Sequence, residues 1–306
     1  MFSNDELLTK YIKALVKNAN LKNIPRDIDI IFDGGAFNGV FGQGIAMYLN
    51  ELENTDNIKV HRISGCSIGA FLALIYATKG NYDFETGFVE VSGHFKKHLN
   101  LLEFARQLRC YIFDTLNDDE IKSLNDVLHI SYYDLQNHKQ VVVNDFVDKQ
   151  HLYDCILRSC HIPYVSNTEF TYEERYVDGI SPYLFRDNKR DSLFISLITS
   201  RKFSRLFVSS HEVNSNSRIL SGLADADEFF TTGKSDMCSW IKDWKFISFL
   251  SLRIREFVCF LAIWLFSLSL SVKTFLPGYI NESFILHGVC KVGQAIYTDL
   301  FYTILS

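Results

Sequence analysis

Apolar positions change their period several times along the chain, and each change predicts an element. Leu7, Leu8, Tyr11, Ile12, Leu15 and Val16 fall on one face of a helix that a capping box, Ser3-Asn4-Asp5-Glu6, opens and Pro25 closes off. Ile28-Asp29-Ile30-Ile31-Phe32 reads as a strand, Gly39 through Leu52 as a helix, and Ile58 through Ile63 alternates as a second strand. Ala70 through Ala77 is apolar all round, the pattern of a buried helix. Residues 83–130 read as helical cover, with one apolar helix around Leu101, Leu102, Phe104, Ala105 and Leu108 and another over Asn117 through Leu128. Gln140 through Asn144 reads as a strand, Lys149 through Cys160 as a helix, and Leu193 through Thr199 as a late strand. Strands alternating with helices predict an α/β fold on a mostly parallel central sheet flanked by helices.

A shift in composition near Leu223 divides the chain into an N-terminal helix (1–26), a main domain (27–222) and a helical C-terminal extension (223–306). Within the extension, residues 257–272 run without a charge, preceded by Arg253, Arg255 and Glu256 and closed by Lys273 and Pro277. A transmembrane helix wants about twenty apolar residues, and this run is shorter. Three readings stand: a buried helix that completes the core, a segment that dips into one leaflet with Trp264 and the basic residues as anchors, and a short span.

Composition narrows the function classes. At 306 residues and 47% hydrophobic content the chain can bury an ordinary core, and a net charge of −5 gives no basic footprint for nucleic acid. The seven cysteines (66, 110, 155, 160, 238, 259 and 290) are odd in number and include no C-x-x-C, which argues against a disulfide framework and a zinc site. His94 and His98 are the one pair of histidines at H-x-x-x-H spacing, no further ligand motif accompanies them, and neither metal nor cofactor is expected. The charged N-terminal segment has no apolar signal-peptide core, so the expected location is intracellular, with membrane association through the apolar segment 257–272.

The chemistry gathers in three short segments. Gly65-Cys66-Ser67-Ile68-Gly69 lies between a strand and a helix and has the form of a nucleophile elbow, which marks Ser67 as a nucleophile with Gly65 and Gly69 leaving it room. Cys66 reads as a small buried hydrophobe. Upstream, Asp33-Gly34-Gly35-Ala36-Phe37-Asn38-Gly39 is a second strand-to-helix turn, and its N–H groups at Gly34, Gly35 and Ala36 are candidates for an oxyanion hole. Asp33 is expected to fix that turn by accepting from backbone N–H groups. The sequence holds two Asp-Gly pairs, Asp33-Gly34 and Asp178-Gly179, which leaves Asp178 as the partner for Ser67.

In this order (glycine loop with Gly39 and Gly44 in register, elbow, Asp178-Gly179) the chain resembles the patatin-like phospholipases over about residues 28 to 200. Ile156 through Pro163 and Arg175 through Gly179 look especially like the animal members related to adipose triglyceride lipase. The resemblance implies a three-layer fold and a Ser67–Asp178 dyad that needs no histidine. It implies an acyl-enzyme, a phospholipid or acylglycerol substrate, and work at a membrane or lipid-droplet surface. Three positions depart from the family's pattern: Ala36 stands where a third glycine is usual, Asn38 where many members carry a basic residue, and Ile180 where a second glycine is common. Alanine keeps the N–H but suits the loop only if position 36 needs no positive φ. Alternatives are a catalytically inactive lipid-binding relative and an α/β-hydrolase triad using His211 or His287. A nucleotide site is weaker, since Gly39-x-x-Gly42-x-Gly44 reverses the dinucleotide fingerprint.

Overall fold

The computed structural model describes residues 4–19, 21, 24–80, 82–167, 169–185, 187, 189–206, 212 and 214–275. Ser3 of the expected capping box lies outside them. Helix α1 (Asn4–Asn18) leads to strand β1 (Asp27–Phe32), then helix α2 (Gly39–Asn54), strand β2 (Lys59–Cys66) and helix α3 (Ile68–Thr78). Helices α4 (Phe84–His98), α5 (Leu102–Cys110) and α6 (Asp118–Ser123) follow, with a π-helical turn between the last two. Strands β3 (Leu128–Asp134) and β4 (Lys139–Val143), helix α7 (Lys149–Ser159) and strands β5 (Tyr176–Val177) and β6 (Asp191–Ile195) come next. Helix α8 (Asn216–Thr232), strand β7 (Cys238–Trp240) and helix α9 (Phe246–Phe275) end the described chain.

The sheet runs β4-β3-β2-β1-β6-β7, with the short β5 also paired to β3. Neighbours among β3, β2, β1 and β6 are parallel, whereas β4, β5 and β7 join antiparallel. Ile28, Ile30, Ile31 and Phe32 of the central β1 are fully buried, as expected for a parallel strand covered on both faces. Register lines up the carboxyl ends: Phe32 sits opposite Gly65 on one side and Ile195 on the other, and Cys66 opposite Ser131. The turns that follow β1, β2 and β6 therefore emerge at one edge, where open α/β sheets bind ligands.

Helices α2 and α8 cross backbone to backbone. A Cβ on Gly44 would lie 2.1 Å from the Ile219 carbonyl oxygen, and one on Gly222 would lie 2.0 Å from that of Phe41. This close crossing carries the N-terminal turn of α8 to the loop before α2. It also gives the glycines after Gly39 a packing role in place of a phosphate-binding one.

Several boundaries differ from the sequence reading. The cover ends earlier than residue 130, because α6 is short and Leu128-His129-Ile130-Ser131 already belongs to β3. Leu124, Val127 and Leu128 keep a helical spacing, but Asp126 takes a positive φ of 62° and breaks the helix before the strand begins. The late strand starts at Asp191 and ends at Ile195. The break expected at residue 223 falls inside α8, and the chain's first compact unit holds every element from α1 to β7. That unit continues because β7 pairs with β6 at the sheet edge.

The second compact unit contains α9. Along it Phe246, Ile247, Leu250, Ile254, Phe257, Val258, Leu261 and Trp264 are exposed. At about 100° per residue these positions fall on one apolar stripe. Of the segment 257–272, the side chains of Ala262 and of residues 265–272 lie outside the described ones. Exposure of Phe257, Val258, Leu261 and Trp264 runs against the buried-helix reading. Among the described residues no helix is long and apolar enough to cross a membrane.

Candidate active site

Ser67 occupies the sharp turn between β2 and α3 with φ 52° and ψ −136°, a conformation that costs a non-glycine residue of order 1–3 kcal/mol. Its surroundings enforce the turn. A Cβ on Gly65 would lie 2.3 Å from the Gly69 carbonyl oxygen, and one on Gly69 would lie 2.4 Å from that of Asp33, so the turn is pressed onto the end of β1. The Ser67 N–H donates to Ser159 Oγ at 2.8 Å, and that hydroxyl donates onward to the Ser131 carbonyl at 2.7 Å, both within the core. Ser67 caps α3 without a side-chain bond to it, so the positive end of the helix is left facing the turn.

The glycine loop packs against the elbow. A Cβ on Gly34 would lie 3.1 Å from Ser67 Cβ, and one on Gly39 would lie 2.4 Å from Ile68 Cγ1. Asp33 is buried, and its Oδ1 accepts the Gly34 N–H at 2.9 Å. The Gly34 N–H, one of the three expected oxyanion donors, is thus engaged within the turn itself. The N–H groups of Gly35 and Ala36 have no hydrogen-bond acceptor among the described residues. Gly35 touches Leu197 so closely that a Cβ there would lie 2.5 Å from the Leu197 Cβ.

Ala36 takes φ 45°, so the position does require the left-handed region that favours glycine. Alanine adopts it at a cost, and the residues after it are tied down heavily. Asn38 is buried, with Nδ2 donating to the carbonyls of Leu197 (2.8 Å) and Lys202 (3.0 Å). Its Oδ1 accepts from Arg218 Nη1 at 3.2 Å. Position 38 is one of the departures noted above, and the cation found there comes from α8.

Asp178 follows β5 and is stitched to the same core. Its N–H donates to the His161 carbonyl (2.9 Å), the Gly179 N–H to the Ser159 carbonyl (3.1 Å), and the Ile180 N–H to Asp178 Oδ1 (3.0 Å). A Cβ on Gly179 would lie 2.2 Å from the Ser131 carbonyl oxygen and 2.8 Å from Cys66 Cβ. The Asp-Gly turn thus rests on Ser159 and Ser131, the two residues that hold Ser67. Burial pushes the Cys160 thiol well above its ordinary pKa, and the nearby Asp178 charge adds to the shift. Ile180, the third departure, takes φ 55°, an unusual conformation for a β-branched residue.

Ser67, Ala36, Gly39 and Cys160 line one apolar pocket with an empty volume of about 730 Å³, open solvent included. Phe84, Phe88 and Val91 from α4, with Leu101 and Phe104, form a wall. Phe71 anchors that wall, its ring lying 5.0 Å from Tyr82 and 5.5 Å from Phe104, both edge to face. An apolar chamber with a few convergent polar groups at one end is the usual form of a small-ligand site.

Sequence reading singled out Ser67, Asp178, the glycine loop and both elbow glycines, and the fold gathers them around the ends of β1 and β2. It missed Ser131, Ser159, Glu212 and Arg218. Ser159 lies within Ile156 through Pro163 with no local mark of a role, and Ser131 follows directly on the residues read as helical cover. Arg218 gave no local signal. His211 and His287 lie outside the described residues. Among the described residues no group of three or more His, Cys, Asp or Glu could hold a metal ion.

Residues 30–188, just over half of the chain, match the family described as patatin-like phospholipase. The omega-hydroxyceramide transacylase of Mus musculus is 27% identical over 185 residues, 56% of this chain and 30% of the relative. The omega-hydroxyceramide transacylase of Homo sapiens is 28% identical over 158 residues, 49% of this chain and 30% of the relative. The chain therefore matches less than a third of the length of either curated relative.

Proposed function

From the premise that the chain belongs to the patatin-like phospholipase family, we propose that it is a lipid acyl hydrolase working through Ser67 and Asp178. The observation that carries this reading is Ser67 itself, held in a left-handed turn at the N-terminus of α3 on the floor of an apolar pocket. Ser67 Oγ attacks the ester carbonyl carbon while its proton passes to Asp178. A carboxylate is a weak base toward a hydroxyl, so proton transfer runs in concert with attack. The tetrahedral oxyanion is received by the Gly35 and Ala36 N–H groups, and the α3 dipole adds to its stabilisation. Collapse expels the alcohol, which takes the proton from Asp178, and leaves the acyl group on Ser67. Asp178 then accepts a proton from water as that water attacks, and returns it to Ser67 Oγ as the new tetrahedral intermediate collapses and the fatty acid leaves. The acyl chain lies against Phe84, Phe88 and Phe104.

A second reading follows from the relatives, both named as transacylases: the acyl-enzyme passes its acyl group to an acceptor hydroxyl in place of water. The chemistry at Ser67 is the same until the acyl-enzyme. The substrate class is phospholipid or acylglycerol, met at a membrane or droplet surface against which the apolar stripe of α9 lies.

The test is labelling with a fluorophosphonate and mapping of the adduct by mass spectrometry, on the parent chain beside Ser67→Ala and Asp178→Asn. An adduct on Ser67 that disappears with Ser67→Ala and falls by a thousandfold or so with Asp178→Asn is expected. A folded parent chain that takes no label would sink the reading. Products from a labelled acyl donor, with and without a long-chain alcohol, separate hydrolysis from transfer.

A further inference from the structure

We propose that Arg218 and Glu212 are positioning residues for the loop that carries the Gly35 and Ala36 N–H groups, and that they couple this loop to helix α4 of the pocket wall. The inference rests on the Ser67 reading and adds to it the residues that keep the oxyanion donors aimed.

Arg218 is fully buried. Its Nη1 donates to the carbonyls of Phe37 (2.9 Å) and Arg205 (2.7 Å) and to Asn38 Oδ1 (3.2 Å). Its Nε and Nη2 donate in parallel to the two Glu212 oxygens at 2.6 and 2.7 Å. The planar fork thus faces a carboxylate on one side and the oxyanion loop on the other, a division of donors that lysine does not offer. Removing a buried charge is costly and so is leaving one unpaired, so Glu212 is required wherever Arg218 is.

The loop needs such a brace at one place. Gly34 is fixed by Asp33 on one side of Ala36, and Phe37 and Asn38 are fixed by Arg218 on the other. Between them Ala36 holds φ 45°, and it cannot relax to a negative φ without breaking one of those attachments. Relaxation would turn the peptide planes that aim the two N–H groups. Gly44 and Gly222 set the close approach of α2 and α8, and Arg218 Cζ lies 5.4 Å from the centre of the Phe41 ring of α2.

The same pair reaches the pocket wall. Lys96 Nζ of α4 donates to the Glu212 carbonyl at 3.0 Å, and Arg218 Cζ lies 5.6 Å from the centre of the Phe88 ring. Phe37 packs edge to face on Phe88 at 6.2 Å and lies 5.3 Å from Phe95. A ligand that presses on Phe88 from within the pocket acts on the loop through Phe37 and Arg218.

The experiment uses the full chain with Glu212→Gln, Arg218→Lys, and Glu212→Gln combined with Ala36→Gly. It reads kcat and KM on a p-nitrophenyl ester and amide hydrogen exchange over residues 33–39 and 219–230. Glu212→Gln and Arg218→Lys are each expected to lower kcat about ten- to a hundredfold, as small misplacements do. KM should stay within about threefold, and exchange over 33–39 should quicken while α8 stays protected. Adding Ala36→Gly to Glu212→Gln should restore about tenfold of kcat, because glycine keeps a positive φ without a brace. Parent-like kcat and exchange in Glu212→Gln would overturn the proposal. So would loss of α8 protection in step with activity and no recovery with Ala36→Gly. If the parent chain cleaves no ester, the Ser67 reading fails, and exchange over 33–39 alone decides whether the pair braces the loop.

Discussion

The elbow and the two turns that flank it solve the same backbone problem in opposite ways. At the elbow, glycine is a matter of space: a side chain on Gly65 or Gly69 would run into backbone carbonyl oxygens at 2.3 and 2.4 Å, and backbone cannot step aside. At Ala36 and Ile180, glycine would be a matter of conformation, since both take a positive φ, yet a methyl and a β-branched side chain stand there. Steric exclusion by backbone admits no substitute. Conformational strain of order 1–3 kcal/mol is tolerable if neighbours over-determine the turn. Ala36 has the Asp33–Gly34 bond and the Arg218 fork around it, and Ile180 has its own N–H held by Asp178 Oδ1.

The largest effect is expected where space decides. Gly69→Ala should cost about 3 kcal/mol or more, the upper range for overpacking a rigid site, and should abolish fluorophosphonate labelling. Denaturant unfolding followed by circular dichroism measures the first and gel fluorescence the second. A loss under about 1 kcal/mol with labelling intact would mean the end of β1 yields, and the contrast with Ala36 would disappear. Ser159→Ala comes next. It leaves the buried Ser67 N–H without its acceptor and the Ser131 carbonyl without its donor, each a group whose desolvation goes unpaid. A cost of about 2 kcal/mol is expected, with labelling slowed about tenfold. Unchanged labelling in a destabilised variant would show that Ser159 supports the fold alone.

What could be seen in the sequence follows from the range of each constraint. The elbow, the glycine loop and Asp178-Gly179 are short turns whose requirements fall within a few residues, so their glycines and their order were visible. The main helices and the strands β1 and β2 were visible for the same reason, as periodic runs. The residues that hold those turns together come from far away: Ser159 is 92 positions from Ser67, and Arg218 is 181 from Phe37. A lone serine or arginine in a helix carries no mark of a task on a distant loop. Strand β3 was obscured because its first residues complete a helical spacing begun at Leu124, and with it went Ser131, where the Ser67 and Asp178 turns meet. The departures at 36 and 180 were visible as letters, but the sign of φ that gives them meaning belongs to the folded chain.

The smallest effect is the one that tests strain directly. Ala36→Gly removes a single methyl group at φ 45° and leaves every hydrogen bond of the loop in place. Glycine relieves the left-handed penalty of about 1–2 kcal/mol but raises the entropy of the unfolded chain by about 0.4–1 kcal/mol. A net gain of about 0.5 kcal/mol is expected, read as a higher denaturant midpoint at constant slope. The sign carries the argument more than the size. A loss of stability would mean that the backbone at 36 is at ease as alanine, that the Arg218 fork opposes no strain, and that the elbow and the loop differ in composition only.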